Sequence, residues 1–245
     1  MQLIDRYQDA VHSLFKKVED TQREPIIECG KLFADTVANG GHIFLSAICH
    51  HIEYDLLYRG GGPIFYKRLD YKLDVDVNTT RDRDRSGVDT SVEGLGKYAL
   101  QASKALPGDV IVLSSVSGRT PKVVDLAWEA KKFGMKVVVF TSMEYARAVD
   151  SVHSSGQKLY EMADIVLDNC APAAEAMLEI EGIEARFAAA SGIASDYILW
   201  SITSVCVEEL LAKGITPGIL KSANFPGGND YNKTIIEPNY TKVGY

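Results

Sequence analysis

Long apolar runs, paired cysteines and an excess of positive charge are all missing from this chain of 245 residues. No stretch approaches the roughly 20 consecutive apolar residues of a bilayer-spanning helix, so no membrane partner is expected. The opening segment "MQLIDRYQDAVHSLF" is amphipathic and carries acids, which does not fit a signal peptide. The four cysteines, Cys29, Cys49, Cys170 and Cys206, show no C-x-x-C spacing, so neither a zinc site nor a disulfide framework is indicated. Reduced thiols in a cytoplasmic protein are the expectation. The formal net charge of −7 argues against a nucleic-acid partner, which normally meets a basic face. It leaves room for an anionic small molecule, because a helix N-terminus attracts negative charge locally.

The composition is that of an ordinary globular chain, long enough to bury a substantial core. Leu3, Tyr7, Val11 and Leu14 recur at helical spacing over residues 3–18. A second helix is expected to start near Pro25, a residue suited to a first turn, and to stop at Gly40–Gly41. "HIFLS" reads as a short strand, and "HHIEYDLLYRGGG" as a helix closed by glycines. "IFYKRLDYKLDVDV" alternates partly and suggests a strand, whereas "TTRDRDRSG" reads as a solvated charged loop. Residues 92–106 look helical.

The second half is clearer. "DVIVLS" (109–114) and "KVVVFTS" (136–142) are continuous β-branched runs, as in strands buried on both faces of a parallel sheet. Val123, Ala127 and Ala130 form a helical stripe between them, and Gly134 is placed to end that helix. Together these make a βαβ unit. "ADIVLDN" (163–169) and "AMLEIEG" (176–182) suggest further strands, and a long apolar helix fills roughly 192–213. The tail "SANFPGGNDYNKTIIEPNY" is rich in turn formers. Alternating strands and helices predict an α/β fold, a three-layer α/β/α sandwich around a parallel sheet. The expected organisation is an N-terminal helical segment over 1–40 packed on a core of 41–245.

The turn "SVSGRT" lies between the first of these clear strands and its helix. Ser115 and Ser117 stand two apart at the strand end. Gly118 permits a tight turn or a close backbone approach. Thr120 can cap the helix that Pro121 starts. Hydroxyls, free amides and a helix N-terminus together make an anion cradle. A decorated helix cap is the plainer alternative, although a cap needs only one hydroxyl.

"GDVIVLSSVSGRTPKVVDLAWEAKKFGMKVVVFTS" resembles the core of the sugar isomerase (SIS) domain family. That family carries a Ser-x-Ser-Gly-x-Thr phosphate loop after a strand, here Ser115, Ser117, Gly118 and Thr120. The next strand then ends in Thr/Ser, here Thr141 and Ser142. Arg59–Gly61, "SSGQKLYEMADIVLDN" and "SANFPGGNDYN" are similar to segments of a bacterial phosphosugar-binding subgroup that is itself similar to sedoheptulose-7-phosphate isomerase. The resemblance implies a doubly wound, flavodoxin-like sheet and a phosphorylated sugar as ligand. It also implies no organic cofactor and a homodimer or homotetramer built through helices. No metal-ligand pattern accompanies it. The first loop departs from the family's Gly-rich turn. In "SAICHH", Ser46 stands near the first expected Gly, Ile48 near another and His50 near the Ser. His50 and His51 are candidates to hydrogen-bond the anion or the sugar hydroxyls. Ordinary helix N-terminal residues are the other reading.

Aldose–ketose isomerisation needs a base for the proton beside a carbonyl and an acid to move protons between oxygens. The resemblance matches a Glu-Leu-x-x-Arg segment to Asp55-Leu56-Leu57-Tyr58-Arg59. Asp55 is therefore the candidate base, Arg59 a phosphate or orienting group, and His153 a remote acid. An i,i+4 helix pair is the structural alternative for Asp55 and Arg59. Two other functions compete with isomerisation. One is a non-catalytic phosphosugar sensor, which the altered first loop favours. The other is a lyase or etherase acting on an amino-sugar phosphate.

Overall fold

A computed structural model describes residues 1–46, 50, 52–78, 81–88 and 92–245. Ile48 and His51 lie outside the described residues. The framework is a five-stranded parallel sheet. Its strands are β1 (Ile43–Ser46), β2 (Tyr66–Arg68), β3 (Val110–Ser114), β4 (Lys136–Thr141) and β5 (Ile165–Asp168), in the order β2-β1-β3-β4-β5. Register is continuous across the centre, where Ser46 pairs with Leu113 and Ser114 with Phe140. All five residues of β3 are buried. This explains the unbroken apolar runs, since each face of the sheet is covered and no position is left for a polar residue to meet water.

Side chains alternate across the pleat into two cores. Ile43, Leu45, Val110, Val112, Val138 and Phe140 point to one side, where they meet α1 (Leu3–Ala38) and α6 (Ser191–Ala212). Phe44, Ile111, Leu113, Val137 and Val139 point to the other, against α4 (Pro121–Phe133) and α3 (Leu95–Ala102). The result is the three-layer α/β/α sandwich expected from the alternation of elements. Asp125 of α4 locks α3 in place by accepting the amides of Gly94 and Gly96, each at 2.8 Å. Gly134 ends α4 with φ +90°, in the left-handed region that glycine enters at least cost.

Two helices were expected before residue 41, and one is found. α1 runs through Pro25 without stopping. An internal proline removes the bond to the carbonyl four residues back, here that of Thr21. The helix continues because Leu14, Val18, Ile26, Cys29, Phe33 and Val37, on both sides of Pro25, are buried in the same core. That stripe holds the two halves in line, so tertiary burial outweighs the local penalty. Among the described residues, the helix expected over "HHIEYDLLYRGGG" is found as α2 (Tyr54–Leu57), and the stretch 63–92 holds the short strand β2.

"AMLEIEG" does not join the parallel sheet. β6 (Ala176–Ile180) pairs antiparallel with β7 (Ile183–Ala189), an element the sequence reading did not assign. β7 is almost wholly exposed, so it lacks the buried stripe that marks a strand in a sequence. The turn-rich tail is helical over much of its length: α7 (Gly228–Tyr231), a π-helical turn at Asn232–Ile236 and α8 (Glu237–Lys242). No helix among the described residues is long and apolar enough to cross a membrane. Cys29, Cys170 and Cys206 are buried free thiols; Cys49 is outside the described residues.

Candidate functional site

In a sheet of order 2-1-3-4-5 the chain reverses direction of growth between β1 and β3. The crevice opened there, at the carboxyl ends of the strands, is where such folds hold ligands. The turn Ser115–Thr120 sits on that end of β3 and leads into α4. Its shape is set from beneath. The Ser115 amide donates to the Phe140 carbonyl at 3.2 Å, and the Gly118 amide to the Ser115 carbonyl at 2.9 Å. The Thr141 hydroxyl donates to the carbonyls of Ser115 and Val116, at 2.8 and 3.1 Å. These bonds occupy the carbonyls of Ser115 and Val116. Among the described residues, the amides of Ser117, Arg119 and Thr120 and the Ser117 hydroxyl have no hydrogen-bond partner. Donors without acceptors are what an anion requires.

Gly118 has φ +65°, and a Cβ added there would lie 3.3 Å from the Ala146 Cβ. Gly118→Ala is therefore expected to destabilise the fold by about 1–2 kcal/mol, the cost of a left-handed conformation for an L-residue. A urea midpoint equal to that of the native chain would contradict this. The Thr120 hydroxyl was expected to cap α4. Instead it lies 3.1 Å from the Ser115 hydroxyl, and the cap position has no side-chain hydrogen bond. The Val123 amide, which a capping hydroxyl could accept, donates to the Thr120 carbonyl instead, at 3.1 Å.

The turn lines a cavity of about 330 Å³, at the small end of the range of ligand pockets. Ser114, Ser115, Ser117 and Thr120 form one wall, and His50, Tyr145 and Glu175 also line it. His50 Nε2 stands 4.0 Å from a Glu175 carboxylate oxygen. Both residues have left-handed backbones, φ +63° for His50 and +79° for Glu175, and Ala174 beside Glu175 has φ +61°. Non-glycine residues in that region are costly, and such strain concentrates at ligand sites. Nothing in the local sequence "APAAEAML" marks Glu175. Its signal is positional, a lone carboxylate just after a strand end in an α/β fold.

The other expected site residues are distributed as follows. Thr141 and Ser142 are completely buried. Thr141 braces the turn. Ser142 accepts the Tyr145 amide at the start of α5 (Met143–Ala148) and donates to the Ala171 carbonyl. Burial and engaged hydroxyls make both residues supports beneath the turn. Ser46 is buried at the end of β1 and does not line the cavity. Asp55 and Arg59 form an exposed i,i+4 ion pair at 2.5 Å. Near them, Asp196 of α6 has one carboxylate oxygen buried without a partner among the described residues. Burial, with the Asp55 charge, raises the Asp196 pKa; Arg59 opposes the rise. His153 lies in the loop after α5, with Nδ1 2.7 Å from the Ser155 hydroxyl and Nε2 3.7 Å from Glu93. Asp55, Arg59 and His153 do not line the cavity.

The SIS domain family matches residues 6–142, a span that runs from α1 through the whole Ser115–Thr120 turn to the end of β4. A UPF0309 protein of Streptomyces griseus is 34% identical over 245 residues, covering 99% of this chain and 97% of that one. A UPF0309 protein of Listeria monocytogenes is 34% identical over 229 residues, covering 93% of each chain. Among solved structures, the phosphoheptose isomerase GmhA of Neisseria gonorrhoeae superposes with a TM-score of 0.52. It is 17% identical, and the match covers 84% of this chain and 96% of that one. At that identity the likeness concerns the fold. A hydroxyl-lined turn on β3, a sheet of order 2-1-3-4-5 and a sequence match over more than half of the length lead to one assignment: this chain belongs to the SIS domain family.

Proposed function

We propose that the cavity at the β1/β3 switch point binds a phosphorylated sugar and that the protein interconverts its aldose and ketose forms. The observation that carries the reading is the set of unpartnered amides at Ser117, Arg119 and Thr120 with the hydroxyls of Ser115, Ser117 and Thr120, beside a cavity sized for one small ligand. Three phosphoryl oxygens can take these donors while the sugar reaches toward His50 and Glu175. In the chemistry suggested by family resemblance, Asp55 takes the proton, His153 supplies the acid and Arg59 orients the ligand. The reading extends to a cytoplasmic homodimer or homotetramer. Support for pairing through helices comes from an outward groove between α1 and α6, lined in part by Ile26, Ile27, Tyr197 and Val205.

The competing reading, binding without turnover, is favoured by one observation: Asp55 is paired with Arg59 and lies outside the cavity lining. One experiment separates the two. The protein is screened by thermal shift against five-, six- and seven-carbon sugar phosphates and their unphosphorylated parents. Sugars that bind are then incubated with it in D₂O, and the proton beside the carbonyl is followed by NMR. A ligand at a hundredfold excess over Kd adds about 2.7 kcal/mol of stability, so a true ligand shifts the melting point visibly. Shift with deuterium exchange supports the isomerase. Shift without exchange leaves the sensor, and equal shifts with the unphosphorylated parents would sink phosphosugar binding altogether. Elimination products in place of the isomer would indicate a lyase or etherase.

A further inference from the structure

We infer that Glu175, with His50 as its acid partner, is the group that moves the proton, in place of the Asp55 nominated by family resemblance. The inference rests on the isomerase reading above and changes its machinery. The reasoning is positional. The base must reach a carbon in the same cavity that holds the phosphoryl group. Among the described residues lining that cavity, Glu175 is the carboxylate and His50 the imidazole. They sit within 4.0 Å of each other. Asp55 and His153 are outside that lining and are engaged by Arg59 and by Ser155.

Glu175 is held as a catalytic group needs to be held. Its carboxylate accepts the Ser191 hydroxyl at the first residue of α6. Its carbonyl accepts the Ala190 amide at 3.1 Å, and its amide donates to the Pro172 carbonyl at 2.9 Å. Those three bonds fix a backbone that would otherwise leave φ +79°. The carboxylate would repel the phosphoryl group at close range, so the ligand must lie with its phosphate on Ser117–Thr120 and its carbonyl end toward Glu175. That polarity places a sugar's carbonyl carbon and its neighbour beside the pair.

The proton transfers then balance without any added reactant. The Glu175 carboxylate takes the proton from C2 of the open-chain aldose. The C–H electron pair becomes the C1–C2 double bond, the carbonyl π pair moves onto O1, and O1 takes a proton from the His50 imidazolium. In the second half the neutral His50 imidazole removes the proton from O2. The O2 pair forms the ketone at C2, and C1 takes the proton back from Glu175. Both side chains end as they began.

The test uses the full-length protein and compares solvent exchange at the carbon beside the carbonyl with thermal-shift Kd, for the sugar phosphates that bind. Glu175→Gln keeps an acceptor for Ser191 and is expected to slow exchange at least a hundredfold, the usual share of a general base, with Kd within threefold of native. Glu175→Asp keeps the charge but withdraws it by about a bond length, and is expected to lose about tenfold or more through misplacement. His50→Gln is expected to slow exchange about tenfold with binding kept. Native-rate exchange in Glu175→Asp and His50→Gln overturns the assignment, as does loss of exchange in Asp55→Asn alone; in both cases the isomerase reading survives. Binding by the native chain with no exchange of any sugar defeats that reading and this assignment together.

Discussion

Ser117→Ala is expected to weaken phosphosugar binding roughly 10- to 150-fold while leaving the folded protein almost as stable as before. The size follows from the bond at stake. A hydrogen bond to a charged group is worth about 1.5–3 kcal/mol, and each 1.4 kcal/mol is about tenfold in affinity. The separation of effects follows from the fold. The Ser117 hydroxyl has no partner within the chain among the described residues, so its removal strands no buried group. Stability should change by no more than about 0.5 kcal/mol. Ser115→Ala is a useful contrast, because it also removes the 3.1 Å contact with Thr120 and so loosens the turn as well as the ligand. Titration of the same sugar phosphate into both variants by calorimetry checks the claim. Native affinity in Ser117→Ala would mean that the anion lies elsewhere.

Phe140→Ala has the largest expected effect on stability, a loss of about 3–5 kcal/mol. Phe140 is completely buried on β4, in the core shared with α1 and α6. Its β3 neighbour is Ser114, and its carbonyl receives the Ser115 amide. The cavity left by the ring would open in the core facing α1 and α6, behind the residue whose carbonyl anchors the turn. For a chain of this size each kcal/mol shifts the melting point by about 2–4 °C, so a fall of roughly 6–20 °C is expected. A loss below about 1 kcal/mol would show that this core collapses around the gap, and that the turn does not depend on a rigid floor.

How much could be read in advance varied with the range of the cause. β3, β4, α4 and Gly134 announce themselves because their signals are local. Val110–Ser114 and Lys136–Thr141 are runs rich in β-branched residues, Val123, Ala127 and Ala130 recur at helical spacing, and glycine takes the C-cap φ of +90° at least cost. Pro25 misleads for the opposite reason. Locally it signals a helix start, and only the burial of Val18 and Ile26 in one core shows that the helix passes through it. β7 escapes notice because a strand exposed on both faces carries no alternation. The tail's Asn and Gly residues read as turns, yet Ile236 is buried and draws the segment into helical coils.

The candidate site divides along the same line. Ser115, Ser117, Gly118 and Thr120 are contiguous, so their chemistry and their place after a strand are legible from order alone. Asp55–Arg59 is legible too, as an i,i+4 pair, but spacing says nothing about which surface that pair faces. By itself the sequence determined the layered α/β fold and the hydroxyl-rich turn at a strand's end, because periodicity and turn chemistry act over a few residues. Only the tertiary structure decided that Thr141 and Ser142 brace the turn from below, and that Glu175 meets His50 across the cavity. The first meeting spans 25 or 26 residues and follows from the parallel pairing of β3 with β4. The second joins residues more than a hundred apart, and the bond from Ser191 at the start of α6 helps hold Glu175 there.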